Sequence, residues 1–155
     1  MKVVRVGFIA AAVLAMATLS FAQKPDFSGT WTLDEAASGT AGGGGGGGRG
    51  GGGLGNGGTV KQTADALMVE RMMGDNKVTA SYKLDGSESK NTMMGRGGQS
   101  MEAVSTVKFD GNKMIITSKV GENDTTQVWS LAGDVLTIEV TSARGTQKRV
   151  YKKTT

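Results

Sequence analysis

The chain has 155 residues, 18 of them basic and 14 acidic, and contains neither histidine nor cysteine. The first absence removes the usual general base, the usual zinc ligand and the side chain that titrates near neutrality. The second removes any disulfide framework, so the fold stands on its core alone.

Lys2 and Arg5 open the chain, the apolar run "VGFIAAAVLAMATLSF" follows, and Ser20-Phe21-Ala22 precedes Gln23. A basic start, a short apolar core and small residues at the last and third-last positions read as a secretory signal peptide over 1–22. The run is shorter than the roughly 20 apolar residues of a membrane span, so no transmembrane segment is expected in the mature chain. A single domain, 23–155, is then expected to be exported to the periplasm or the extracellular space. Without Lys2 and Arg5 it keeps 16 basic and 14 acidic residues, a net charge of +2. That balance does not point to nucleic acid or to an anionic membrane.

The next run, "FSGTWTL" (27–33), predicts a first strand. From 39 to 58 the chain reads "GTAGGGGGGGRGGGGLGNGG", with fifteen glycines in twenty residues. Glycine loses the most entropy on ordering and has no side chain to bury, so 39–58 is expected to be a disordered loop. "GRGG" occurs at 48–51 and again at 95–98. Two arginines are too few for an RGG-type RNA contact, and no nucleic-acid partner is expected.

Beyond the loop the pattern has period two, with turn residues between short runs. Strands are predicted at 59–63, 66–73, 77–84, 88–94, 100–109, 113–120, 125–131, 135–142 and 146–153. "GDN", "DG", "DGN", "GEND", "AGD" and "ARG" supply the turns between them. Only "DEAAS" (34–38) has room for a helical turn. The expected fold is all-β: an up-and-down antiparallel barrel of about 8–10 strands, with the glycine-rich loop between the first two. A barrel of this size is either filled by side chains or holds one small ligand.

Two stretches carry a family resemblance. Gly29-Thr30-Trp31 in "DFSGTWTL" resembles the G-x-W that opens the first strand of lipocalins and fatty-acid-binding proteins. Arg149-Val150-Tyr151 in "TQKRVYKK" is similar to the Arg-x-Tyr that ends the fatty-acid-binding proteins. "VKFDGNKMIITSKV" (107–120) resembles their middle strands, and the pattern is also similar to small secreted bacterial lipocalin-like proteins. The resemblance implies a calycin barrel with Gly29 and Trp31 in structural roles. It implies an arginine, Arg149 or Arg144, packed across Trp31. It also makes Arg149 and Tyr151 candidate head-group contacts for a fatty-acid-like ligand, since a guanidinium fork fits a carboxylate and a tyrosine hydroxyl can share it. The glycine run stands where fatty-acid-binding proteins have a helical lid.

Alternation makes Met101, Phe109, Met114 and Ile116 the candidate apolar lining, with Val107 and Tyr151 on the same inner face. Arg149 has three open roles: bracing Trp31, binding a carboxylate, or standing on the outer face. The methionines, including Met68, Met72, Met73, Met93 and Met94, suit Cu(I) in principle. Neighbours in each pair point to opposite faces, however, and core filling is the plainer reading. No metal is expected. Serines and threonines lack a histidine or cysteine partner, and Asp75, Asp85, Asp110 and Asp134 read as turn residues. No catalysis and no cofactor are expected. Two functions remain open: a barrel binding a small apolar or amphiphilic ligand, and a ligand-free envelope protein with a solid barrel.

Overall fold

The structure, a computed structural model, describes residues 24–39, 53–94 and 99–154. The signal-peptide expectation falls on 1–22 and lies outside these residues. Among the described residues the chain forms ten strands: β1 (Gly29–Leu33), β2 (Gly57–Gln62), β3 (Ala66–Met73), β4 (Asn76–Lys83), β5 (Ser89–Met94), β6 (Ser100–Asp110), β7 (Lys113–Val120), β8 (Asn123–Ala132), β9 (Val135–Ser142) and β10 (Gly145–Thr154). They form one sheet in the order β4-β3-β2-β1-β10-β9-β8-β7-β6-β5, antiparallel at each pairing. This is a nearly closed up-and-down barrel.

The turns follow from the sequence. Gly111 and Gly133 take φ of 58° and 60° at the first position of two-residue connections. Such Gly-X turns match the right-handed twist of the strands they join. The alternation then decides burial. On β9, Leu136, Ile138 and Val140 are buried, and Val135 and Glu139 are exposed.

One end of the barrel is solid. The Trp31 indole N–H donates to the Phe27 carbonyl at 3.0 Å. Phe27 meets Trp129 edge-on, with ring centroids 5.8 Å apart, a favoured aromatic geometry. The Phe27 amide donates to Gln62 Oε1 at 3.0 Å, and Gln62 Nε2 donates to the Pro25 carbonyl at 2.8 Å. Residues 25–28 are thereby drawn across the barrel floor, over a core that includes Leu67, Met114, Ile116 and Leu136.

The barrel has one seam, between β4 and β5, its two edge strands. Side chains cross it. The Ser81 amide donates to Asn91 Oδ1 at 2.7 Å, and Asn91 Nδ2 donates back to the Ser81 carbonyl at 2.9 Å. The Lys83 amide donates to Ser89 Oγ at 2.8 Å. Asn91 thus stands in for a backbone partner and satisfies an edge otherwise open to pairing.

Several strand ends differ from expectation by one or two residues, and two features stand out. The loop predicted over 39–58 ends earlier: Gly57 and Gly58 open β2, and Leu54 is buried in the core. A glycine at 57 is what β1 tolerates, since a Cβ there would lie 2.5 Å from the Trp31 carbonyl oxygen, at a φ of 143°. Val150, on the outer face of β10, is also buried. The turn at 35–38 covers it: the Val150 amide donates to Ser38 Oγ at 3.0 Å, and its carbonyl accepts from the Asp34 amide at 2.8 Å.

Trp31→Ala should cost about 3–5 kcal/mol, the range for a buried aromatic, read as a fall in the urea midpoint. A midpoint equal to the parent's would remove Trp31 from the core. A second expectation concerns acid. Asp34 is held below its usual pKa by the Lys152 ammonium and the Ala37 amide, Glu70 by Lys77 and Lys61, and Asp26 and Asp85 by Ser28 and Ser87. Folded carboxyls with lowered pKa give stability that is present above the unfolded values, about 4, and is lost as pH falls through the folded ones. With no histidine, the thermal midpoint should change little between about pH 5 and 8 and drop below about pH 4. A midpoint that falls between pH 7 and 5 would contradict this.

Candidate functional site

β10 aims its odd-numbered residues inward in its middle. Arg149 pairs with Ile138, and Tyr151 with Leu136, both core residues of β9. Their polar ends converge on one atom. Arg149 Nη1 donates to the Gly55 carbonyl at 3.1 Å, and the Tyr151 hydroxyl donates to the same oxygen at 3.0 Å. From β3, Arg71 Nη1 donates to the Gly53 carbonyl at 2.7 Å. Arg71 shares the inward parity of Leu67 and Val69.

The acceptors belong to a strap, Gly53–Gly57, that dips into the barrel before β2. Leu54 is 0% exposed and belongs to the hydrophobic core. A Cβ on Gly53 would stand 3.8 Å from the Ile138 side chain and 3.9 Å from Gln127 Oε1, which places its backbone against the inner wall. The strap is anchored at its base. The Gly57 amide donates to the Leu54 carbonyl at 3.0 Å, and the Leu33 amide to the Asn56 carbonyl at 3.1 Å.

Beyond the strap, away from the floor, lies a cavity with about 40 Å³ open to the centres of water molecules. Including its mouth, which opens to solvent, the unfilled space is about 600 Å³. Gly53, Arg71, Tyr82 and Met93 contribute to its lining, as do Ser105, Ser118 and Gln127. Much of this wall is polar but internally satisfied. The Ser105 and Ser118 hydroxyls share a bond at 2.8 Å, and the Trp129 indole N–H donates to Gln127 Oε1 at 3.1 Å. Burial pushes the Tyr151 phenol above its usual pKa, against the opposing pull of the Arg149 charge, the Arg149 and Leu54 hydrogen bonds and the Arg71 charge. The hydroxyl therefore stays a donor through neutral pH.

The residues named from sequence are distributed as follows. Arg149 and Tyr151 are together, inside, on Gly55. Met114 and Ile116 are fully buried in the core, and Phe109 packs against it with the Lys24 ammonium 4.9 Å from its ring. Met101 lies at the rim, paired with Met93 and 40% exposed. Met68 and Met72 are exposed on β3. The cation over Trp31 is Lys153, 5.6 Å from the ring, not Arg149 or Arg144. The register explains this: Lys153 is the cross-strand partner of Trp31, and Gly29 leaves room for its stem. Arg71 and Leu54 were not singled out from sequence. Parity with Leu67 and Val69 marks the first, and a lone apolar residue in a glycine run marks the second.

No known family profile and no curated protein sequence matches the chain. Solved structures do. A fatty acid transporter, REP1-NXSQ, superposes with a TM-score of 0.62 at 18% identity, covering 83% of this chain and 96% of its own. Human cRBP IV gives 0.56 at 17% identity, covering 84% and 99%. A secretory abundant heat soluble protein from Ramazzottius varieornatus gives 0.52 at 20% identity, covering 64% and 74%. At these identities the likeness is one of fold. The chain shares the barrel fold of these proteins, the fold that the resemblance at Gly29-Thr30-Trp31 and Arg149-Val150-Tyr151 implied.

Tyr151→Phe should cost about 0.5–1.5 kcal/mol, the net value of one neutral hydrogen bond, because Arg149 still serves the Gly55 oxygen. Chemical denaturation measures it. A cost of 3 kcal/mol or more would mean that the hydroxyl alone holds the strap.

Proposed function

We propose that this protein is an exported binding barrel for a small amphiphile with an acidic head group, of fatty-acid type, and that it is not an enzyme. The observation that carries the reading is the convergence of Arg149, Tyr151 and Arg71, inside the barrel, on two carbonyl oxygens beside a cavity open to solvent. Among the described residues no carboxylate forms an ion pair with Arg149. A carboxylate placed there takes charge-assisted bonds from a guanidinium fork and a phenol, with its chain along the apolar inner face. The fold shared with a fatty acid transporter supports the same reading. Export is the sequence's contribution: the basic start, the apolar run and Ser20-Phe21-Ala22 support a mature chain beginning at Gln23.

The second reading, a ligand-free barrel, draws on Leu54, which fills part of the interior. One pair of titrations separates the two. A hydrogen bond to a charged group is worth about 1.5–3 kcal/mol, and each decade of affinity is about 1.4 kcal/mol. Arg149→Ala should therefore weaken dodecanoate by roughly 10- to 100-fold. Methyl dodecanoate should keep its affinity or gain some. With folding checked first by circular dichroism, equal losses for acid and ester would reduce Arg149 to a brace. No binding by the parent would favour the solid barrel.

A further inference from the structure

The strap and the proposed ligand make the same contacts. Leu54 lies in the apolar core, where an acyl chain would lie. The Gly55 carbonyl takes the two donors, Arg149 and Tyr151, that a carboxylate would take. The Gly53 carbonyl takes a third, Arg71. With the strap seated, the cavity offers about 40 Å³. That is room for a few waters, against the roughly 300 Å³ or more of pockets that enclose a drug-sized ligand.

Resting on the fatty-acid reading, we propose that Gly53–Gly57 is a built-in competitor for the ligand site, and that an acidic amphiphile binds as the strap withdraws. The backbone is built for such a movement. Gly53, Gly55 and Gly57 have φ of 97°, 62° and 143°, so glycine stands on both sides of Leu54 and again at the anchored base. Withdrawal extracts a single large side chain. The exchange also has a direction. A peptide carbonyl is neutral, whereas a carboxylate sets a full negative charge against the guanidinium and makes the Tyr151 bond charge-assisted, roughly twice as strong as a neutral one. A tethered occupant acts at high effective concentration. It therefore sets a threshold: the apparent affinity is the intrinsic affinity reduced by the fraction of molecules with the strap out. A ligand with no charged head lacks the stronger bonds that favour displacement, so the strap selects for acids.

The test uses dodecanoate as probe on the full mature chain. Leu54→Ala weakens the competitor without touching Arg149 or Tyr151, so calorimetry should show dodecanoate binding about 10-fold tighter than to the parent, the gain for an open fraction rising from about a tenth towards one. On the parent, hydrogen–deuterium exchange should rise on adding dodecanoate at the amides of Gly57 and Leu33, whose acceptors are the Leu54 and Asn56 carbonyls. An ordinary ligand protects the backbone it covers. If Leu54→Ala fails to fold, exchange on the parent decides alone. Equal or weaker binding by a folded variant, or protection of these amides on the parent, would make the strap a wall of the site and overturn the inference, leaving the fatty-acid reading intact. Binding by neither protein would overturn both.

Discussion

The Gly55 carbonyl is the acceptor around which the interior is arranged. It takes two donors, Arg149 and Tyr151, and so uses both lone pairs. A guanidinium inside an apolar barrel is costly unless it is hydrogen-bonded. Nothing else on β9 facing Arg149 offers an acceptor: its cross-strand neighbour is Ile138. The strap, by entering the barrel, supplies an acceptor to Arg149 where alternation puts it. Once it enters, Leu54 joins the core, Gly53 approaches β8 and β9, and the remaining space becomes a cavity with a polar wall.

The barrel is accordingly divided along its length. The floor is a dry assembly of Phe27, Trp31 and Trp129, closed by backbone and amide bonds from 25–28. The other half holds hydroxyls, the amides of Asn91 and Gln127, and Arg71, among valines, alanines, Tyr82 and Met93. The first half gives the molecule its hydrophobic stabilisation, since burial of large apolar groups scales with area. The second is where contacts are exchanged more readily, because its wall is polar and borders a cavity open to solvent.

Most of the fold was legible in the sequence because a single-sheet barrel obeys one rule, period two, and its turns require glycine at positive φ. The runs at 66–73, 113–120 and 135–142 coincide with β3, β7 and β9. That Arg149 and Tyr151 share a face was legible for the same reason, although alternation alone leaves an outward Arg149 open. What period two does not carry is register between distant strands. The pairing of Trp31 with Lys153 spans the whole domain, so the cation over Trp31 was assigned by resemblance to an arginine and proved to be a lysine. Glycine runs carry no period at all. The one local mark that Gly53 and Leu54 enter the interior was Leu54 itself, an apolar residue among glycines. Arg71 was hidden in "ALMVERMM" because a charged pair, Glu70-Arg71, reads as surface. Only one of the two faces outward, where Glu70 pairs with Lys61 and Lys77.

The seam between β4 and β5 has a mechanical consequence. Around the rest of the wall each strand is tied to its neighbour by a ladder, and the circumference can change only by breaking many bonds together. Among the described residues, the hydrogen bonds across the seam are the two of Asn91 and one of Ser89. In the order of the sheet this seam lies across the barrel from β10, which carries Arg149 and Tyr151. Asn91 and Thr92 beside it also line the cavity. The wall thus has a compliant side facing a stiff one, and swelling of the interior is most easily taken up where two side chains, Asn91 and Ser89, and not a ladder, close the hoop.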